Sequence, residues 1–367
     1  LDRLDTVPCR ELVVLRTPIR PDDAQTTAAL AGTRWAGRVI DDHSLLGLTA
    51  RLRRTRPDAV LVATTGPAAE ALVRMVAALP YRPVVVTGLP GMSIPATERA
   101  LRFRAGSDVF VVHSRHEQEQ FALAARSADV HPVLAVNRLP FLADASVEAP
   151  TDETPLERVV FAPQAKFPRR PDERRAILRA LASLARSRPD LEVVVKLRAL
   201  AGQAQTHDEP HPYDVLWRHM ADDAPVSLAT GPLSAHLGPG TALVTVSSTA
   251  LLEALATGLR GLVIADFGVG DANLTTVYEG SGLIGTLHDV AAGRFFTASE
   301  QWRAENYFHP EPDELPAVLD ALGTLPPVAP GPPVGGRRAQ ARRLARLALP
   351  GLAGRAARRR PRATDGH

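Results

Sequence analysis

Lysine and cysteine are nearly missing from this chain of 367 residues. Lys166 and Lys196 are its only lysines and Cys9 its only cysteine. One cysteine excludes an intramolecular disulfide and a cysteine-built metal cluster. Almost all the positive charge is therefore arginine, which together with abundant Ala and Pro points to GC-rich coding more than to selection for phosphate binding. No apolar run reaches the roughly 18 residues of a membrane span, and no signal-peptide pattern is present, so the expected location is cytoplasmic. There is no Walker lysine loop and no HExxH; Gly268-Val269-Gly270 is too sparse for a dinucleotide fingerprint. P-loop hydrolysis, hydride transfer and a zinc site are disfavoured, and no cofactor or metal is expected.

What is present is a soluble composition, 45% hydrophobic and 23% charged, in a chain long enough for two domains. The net charge of +3 conceals a segregation. Residues 331–367 hold ten arginines and one acidic residue, a local +9, leaving −6 for residues 1–330.

The most informative stretch is Leu243 to Leu259. Leu243, Val244, Thr245 and Val246 read as a buried strand, Ser247-Ser248-Thr249 as a polar turn, and Ala250 to Thr257 as a helix. Unpaired N–H groups and the positive end of a helix dipole make such a junction an anion site. Glu253 lies one turn on and can face the same cleft. Any one hydroxyl alone would be an ordinary N-cap, but the cluster follows a strand end, where open α/β sheets bind ligands.

Around this stretch, strands alternate with helices, the signature of βαβ units and parallel sheets. In the first half the strands are Glu11 to Arg16, Val39-Ile40, Ala59 to Ala63, Pro83 to Thr87, Val109 to Val112 and Val130 to Val136. Helices read over 22–31, 45–56, 67–79 and 115–125. An aperiodic stretch, 142–155, marks a boundary. The second half has strands at 159–161, 191–196, 226–228 and 261–265, with helices at 172–187, 213–220, 271–279 and 312–322. The expected division is 1–146, 147–325, and a Pro/Gly linker with an Arg-rich tail over 326–367. The tail reads as disordered, with 337–349 a marginal basic helix.

Lys196 ends a three-valine strand and Arg198 follows; cations there suit a phosphate leaving group. The polar loop after them offers Gln205 and His207 for base, ribose or phosphate. Gln164 and Lys166 leave a neighbouring strand as secondary candidates. In the first half Gly88, Pro90, Gly91 and Ser93 form a shaped loop, read as facing an acceptor. Asp41, Asp42, His43 and His113 are the candidates for a catalytic base.

The segments VVVKLRALAGQAQTH, VSSTALLEALATG, DFGVGDANLTTVYEGSGLIG and VTGLPGMSIPATERALRFRAGSD, with FVVHS, resemble a group of bacterial glycosyltransferase-like proteins of GT-B type. The match spans nearly all of residues 10–290. The resemblance implies an α/β, GT-B-like fold: two Rossmann-like domains whose parallel sheets face a cleft, here followed by the tail. Ser247-Ser248 before a helix is also similar to the paired-serine motif of bacterial sialyltransferases and to the serine-rich junction of CDP-glycerol glycerophosphotransferases. There the serines hold a cytidine nucleotide's phosphate. Where those families carry His-Pro, this chain has Lys196-Leu197-Arg198. Leu1 to Asp5 resembles the end of a helix that follows a further strand in the group, so a catalytic base upstream of Leu1 is one expectation.

The resulting expectation is a metal-independent glycosyltransferase of cell-surface polysaccharide or glycoconjugate synthesis. Its donor, of CMP, CDP, UDP or GDP type, would be bound by Lys196, Arg198, Gln205, His207, Ser247, Ser248, Thr249 and Glu253. A saccharide or lipid-linked acceptor would lie against Gly88 to Ser93. The alternatives are a CDP-polyol-phosphate transferase and a non-catalytic protein recruited to an anionic membrane by the tail. Specific nucleic-acid binding is not expected, given the acidic remainder of the chain.

Overall fold

The computed structural model describes residues 10–17, 23–142, 154–200, 209–322 and 328–348. The first lobe begins with β1 (Val13–Leu15), α1 (Asp23–Leu30) and β2 (Asp41–His43), in which β1 and β2 pair as a two-stranded parallel sheet. Then follow α2 (Leu45–Thr55), β3 (Ala59–Val62), α3 (Gly66–Ala77), β4 (Val84–Gly88), α4 (Glu98–Arg102), β5 (Val109–Val112), α5 (Arg115–Ala128) and β6 (Val133–Val136). The strands β3 to β6 form a four-stranded parallel sheet in chain order.

The second lobe contains β7 (Arg158–Phe161), α6 (Pro171–Ser187), β8 (Glu192–Lys196), α7 (Tyr213–Met220), β9 (Val226–Ala229), β10 (Thr241–Thr245), α8 (Ala250–Ala256), β11 (Arg260–Ile264), β12 (Ile284–Gly285), α9 (Leu287–Ala291) and α10 (Glu300–Glu305). Its six parallel strands lie in the order β9-β8-β7-β10-β11-β12. Counted within the lobe this is 3-2-1-4-5-6, the doubly wound order, whose direction reverses between β7 and β10.

That sheet is apolar on both faces, as a covered parallel sheet must be. On one face Val160 and Leu243 pack with Leu251, Leu255, Tyr278 and Trp302. On the other, Val159, Phe161 and Val244 pack with Ile177, Leu181 and Leu184 of α6. The sequence places α6 well: Pro171 opens it, the Glu173 carboxylate accepts the Arg170 N–H at 3.1 Å, and its apolar residues recur at helical spacing.

After α10 the chain returns to the first lobe. Tyr307 donates its hydroxyl to Glu117 at 2.8 Å, Arg138 N–H donates to Asp313 and Val136 N–H to Glu314. The helix α11 (Leu315–Leu322) then covers Val86, Val109 and Ala135. Residues 328–334 run along this lobe to α12 (Gly336–Ala348), with Val328 N–H on Asp108 and Val334 N–H on Glu70.

Three expectations need correction. The strand placed at Val39-Ile40 forms two residues later, as β2: Val39 is 95% exposed and the pairing with β1 begins at Asp41. The helix expected over 271–279 is two short 3₁₀ turns, Asp271–Asn273 and Thr276–Tyr278, interrupted by Leu274 in the left-handed region. The tail is not disordered over 328–348: Leu344 and Leu347 join the cluster of Leu45, Leu48 and Leu52, and Arg343 pairs with the buried Glu70. Residues 349–367 lie outside the described residues. Among the described residues no helix is long and apolar enough to cross a membrane.

Candidate functional site at the facing sheet edges

The pairing of Val195 with Phe161, and of Phe161 with Val244, sets the ends of β8, β7 and β10 side by side. With strands about 4.8 Å apart, the tips of β8 and β10 are about 10 Å from one another. The first tip carries Lys196 and Arg198, the middle one Gln164 and Lys166, and the last Ser247, Ser248 and Thr249. At the split itself Thr245 donates its hydroxyl to Ala162 O at 2.8 Å.

The three hydroxyls of the turn have different situations. Ser247 is buried and donates to Leu274 O at 2.6 Å, which fastens the turn to the 271–275 loop. Ser248 Oγ accepts the Ala250 N–H at 3.2 Å, acting as the local cap. Thr249 makes no capping bond and is partly exposed. Among the described residues the N–H groups of Ser248 and Thr249 have no acceptor. Two donors beside an open hydroxyl suit an anion; α8 is short, so these groups matter more than its dipole.

Charge is arranged around that turn. Half-buried Lys196 donates to Leu197 O at 3.1 Å. Burial, and then the Arg198 charge, press its pKa below the usual lysine value, with Glu253 acting in the opposite sense. Burial raises the pKa of Glu253, and Lys196 draws it back down. A phosphate placed here would restore the ammonium's lost solvation. Gln205 and His207 lie outside the described residues.

Sequence reasoning missed Arg174, which organises these loops from α6. Its guanidinium, 1% exposed, donates from Nε to Pro168 O (2.9 Å) and from Nη2 to Ala165 O (2.6 Å) and Gln164 O (3.2 Å). From Nη1 it donates to His211 O (2.9 Å) and Glu209 Oε1 (2.6 Å). One side chain thus holds the loop after β7 and the end of the segment after β8. Its only trace in the sequence is an arginine at a position where the helical period calls for an apolar residue.

From the first lobe, the loop after β4 meets this site. Gly91 has φ +70° and approaches Thr249 so closely that a Cβ there would lie 2.8 Å from Thr249 Cγ2. Tyr278 donates its hydroxyl to Ser248 O at 3.0 Å, with Met92 Sδ at 3.3 Å. Gly88 packs on Val111, and Pro90 is exposed at the loop's crest. Ser93 N–H and His113 N–H both donate to the buried Glu117 carboxylate at 2.8 Å. The carboxyl ends of the two sheets therefore face each other.

The candidate bases differ in how engaged they are. Asp42 receives Arg16 at 2.8 and 2.9 Å, and Asp41 lies 3.4 Å from Arg51. The His113 ring sits between Asn137 O (2.9 Å) and Leu89 O (3.0 Å), tying the loop after β4 to the end of β6. His43 ends β2 with Nε2 buried and unpartnered among the described residues. The described residues contain no group of three or more His, Cys, Asp or Glu arranged to hold a metal ion.

Among solved structures, the chain is similar to MnaA of S. aureus in a structure with UDP, at 11% identity and a TM-score of 0.50, over 94% of this chain and 90% of that one. It is also similar to UDP-GlcNAc 2-epimerase of Methanocaldococcus jannaschii (10% identity, TM-score 0.46, 83% and 84% covered) and to apo UGT2 of Phytolacca americana (11%, 0.42, 93% and 91%). No curated protein matches the sequence. At such identities the likeness concerns the fold, which is GT-B-like: two lobes with parallel sheets, edge to edge. The sequence itself goes further, because a family profile follows it through both lobes from residue 1 to residue 322, and the chain belongs to that family, described as "Putative glycosyltransferase (DUF6716)".

Proposed function

We propose that the protein transfers a sugar from a nucleotide-sugar donor to an acceptor hydroxyl between its two lobes. The observation that carries this reading is the convergence, beside the switch point of a 3-2-1-4-5-6 sheet, of two cations at the tip of β8 and an N–H-rich hydroxyl turn at the tip of β10, on either side of β7. Switch points are where open α/β sheets bind nucleotides.

In this reading the donor's phosphates lie against the Ser248 and Thr249 N–H groups, with Lys196 and Arg198 on the far side and Glu253 toward the sugar or ribose. Arg174 acts through the loops it holds. The acceptor lies along Gly88 to Ser93, with Gly91 and Pro90 at its crest. The acceptor oxygen forms a bond to the anomeric carbon as the bond from that carbon to the phosphate oxygen breaks. The electron pair leaves with the nucleotide, where the protein's cations and N–H groups stabilise it without calling on a divalent ion. The acceptor's proton passes to a base of the first lobe, for which Asp41, Asp42, His43 and His113 are the candidates. We place the reaction in the cytoplasm, in synthesis of a surface polysaccharide or glycoconjugate.

The test is turnover. Purified protein is incubated with UDP-, GDP-, CDP- and CMP-linked donors and a cell-envelope extract, and free nucleotide is followed by phosphorus NMR. Release from one donor class, absent with Lys196→Ala, supports the reading. A transferred polyol phosphate in the product would replace it with phosphotransfer. No release from any donor, under conditions where the protein is folded, would contradict it.

A further inference from the structure

The helix α12 has two unlike faces. Inward, Leu344 and Leu347 pack against Leu45, Leu48 and Leu52, and Arg343 pairs with Glu70 while lying 5.1 Å from the Phe103 ring centroid. Outward, Arg337, Arg338, Arg342 and Arg346 are exposed, and none has a carboxylate within ion-pair distance among the described residues. The helix itself contains no acidic residue. Neighbouring α2 ends in Arg53 and Arg54, also exposed and also without such a partner. Several other exposed arginines are neutralised, Arg102 by Glu98, Arg188 by Asp190, Arg294 by Asp289 and Arg186 by Asp222 and Asp223, while Arg38, Arg126 and Arg179 also lack a carboxylate at ion-pair distance among the described residues. What sets this face apart is that four such arginines share one helix with Arg53 and Arg54 on its neighbour, although Arg54 also acts on Glu11 at longer range.

We propose that this face rests on an anionic lipid bilayer. Arg338, Arg342 and Arg346 follow one another at four-residue spacing over about 12 Å of helix, so their guanidinium groups lie along one flank at a common level. A planar sheet of phosphates matches such a flank. A nucleic acid fits it poorly. Neither α12 nor α2 carries an aromatic residue on which a base stacks, and the −6 charge of residues 1–330 repels a polyanion that follows the protein's surface. A bilayer touches one face alone. Beyond Ala348 the sequence adds Arg355, Arg358, Arg359, Arg360 and Arg362.

Because α12 is docked on α2 and α3, contact here would hold the first lobe, the one that carries the Gly88 to Ser93 loop, at the membrane. This inference does not depend on the donor chemistry, and its test contains no nucleotide. The full-length protein is floated with phosphatidylcholine vesicles, with and without phosphatidylglycerol. Binding only to the anionic vesicles is expected, weakening as salt is raised. A variant with Arg337→Gln, Arg338→Gln, Arg342→Gln and Arg346→Gln, which keeps the inward face and residues 349–367, should need at least about tenfold more lipid for half-binding. Its melting temperature should match that of the parent, since all four side chains are exposed. Unchanged vesicle binding by this variant, equal binding to neutral vesicles, or a preference for single-stranded RNA at the same ionic strength would each overturn the proposal.

Discussion

Gly91 and Thr249 come from different lobes, yet the gap between them is smaller than a methyl group: a Cβ on Gly91 would stand 2.8 Å from Thr249 Cγ2. Gly91 also occupies φ +70°, so two separate costs oppose any side chain there. Gly91→Ala should destabilise the protein by about 1–3 kcal/mol in urea titration. Combining it with Thr249→Ser, which removes Cγ2, should recover the steric share and leave the backbone share. A double variant no more stable than Gly91→Ala would show that the two residues do not touch.

Arg174 offers a sharper test of the donor side. Arg174→Met leaves Glu209 buried without its cation, and burial already pushes that carboxyl's pKa upward. A loss of about 3–5 kcal/mol is expected. Arg174→Lys keeps the charge but cannot span both loops, because an ammonium lacks the planar fork. It should retain most stability while weakening nucleotide binding by about tenfold. Equal affinity in Arg174→Lys and the parent would remove Arg174 from the account of the site.

The Lys196 and Glu253 pair predicts the pH dependence of donor binding. Protonation of either group adds favourable charge toward an anion, so affinity should fall as pH rises. The first fall comes above the ordinary glutamate value, because Glu253 is raised; the second comes before the ordinary lysine value, because Lys196 is lowered. Calorimetry with an intact nucleotide-sugar from about pH 4 to about pH 10 would read both, and Glu253→Gln should erase the first. For stability, the raised Glu253 pKa means that the ionised form is disfavoured in the fold. The stability it contributes is full below its unfolded value and is lost as pH rises through the folded one. Glu253→Gln should therefore raise the melting temperature at neutral pH and not at about pH 4. A flat binding profile would separate these groups from the donor.

The return of the chain to the first lobe depends on the Glu117 carboxylate, which accepts from Ser93, His113 and Tyr307. Burial, and then Glu117, hold the Tyr307 hydroxyl well above the usual tyrosine range, so it remains a donor. Tyr307→Phe should cost about 1–3 kcal/mol by leaving a buried carboxylate one bond short. Faster amide exchange should appear at Ser93 and His113. Exchange unaltered at both would mean that the contact does not support the loop after β4.

Much of this fold was legible because its strands are short runs of Val, Leu and Ile between polar turns, and the Ser247-Ser248-Thr249 turn announces its strand end directly. Lys196 stood out for the same reason, as a rare residue closing a valine run. What the sequence hid was tertiary. Arg174 shows only as an arginine on the apolar stripe of an amphipathic helix until the loops that it binds are folded over it. The stretch from Asp271 to Val277 is rich in Asp, Asn, Thr and Val, which are weak helix formers, and with Ser247 bound to the Leu274 carbonyl and Leu274 in the left-handed region the chain turns instead. The tail's composition suggested disorder because the partner of Arg343, Glu70, lies 273 residues away in sequence. Val39-Ile40 was the more apolar pair, but Arg16 binding Asp42 accompanies a register two residues later.

The central claim is that the switch point of the second lobe binds a nucleotide's phosphates, and calorimetric titration of the full chain with UDP, GDP, CDP and CMP tests it most directly. The account predicts saturable binding of one of them, weakened at least about tenfold by Lys196→Ala with the fold intact. Binding that is indifferent to Lys196→Ala, or no binding of any of the four, would contradict it.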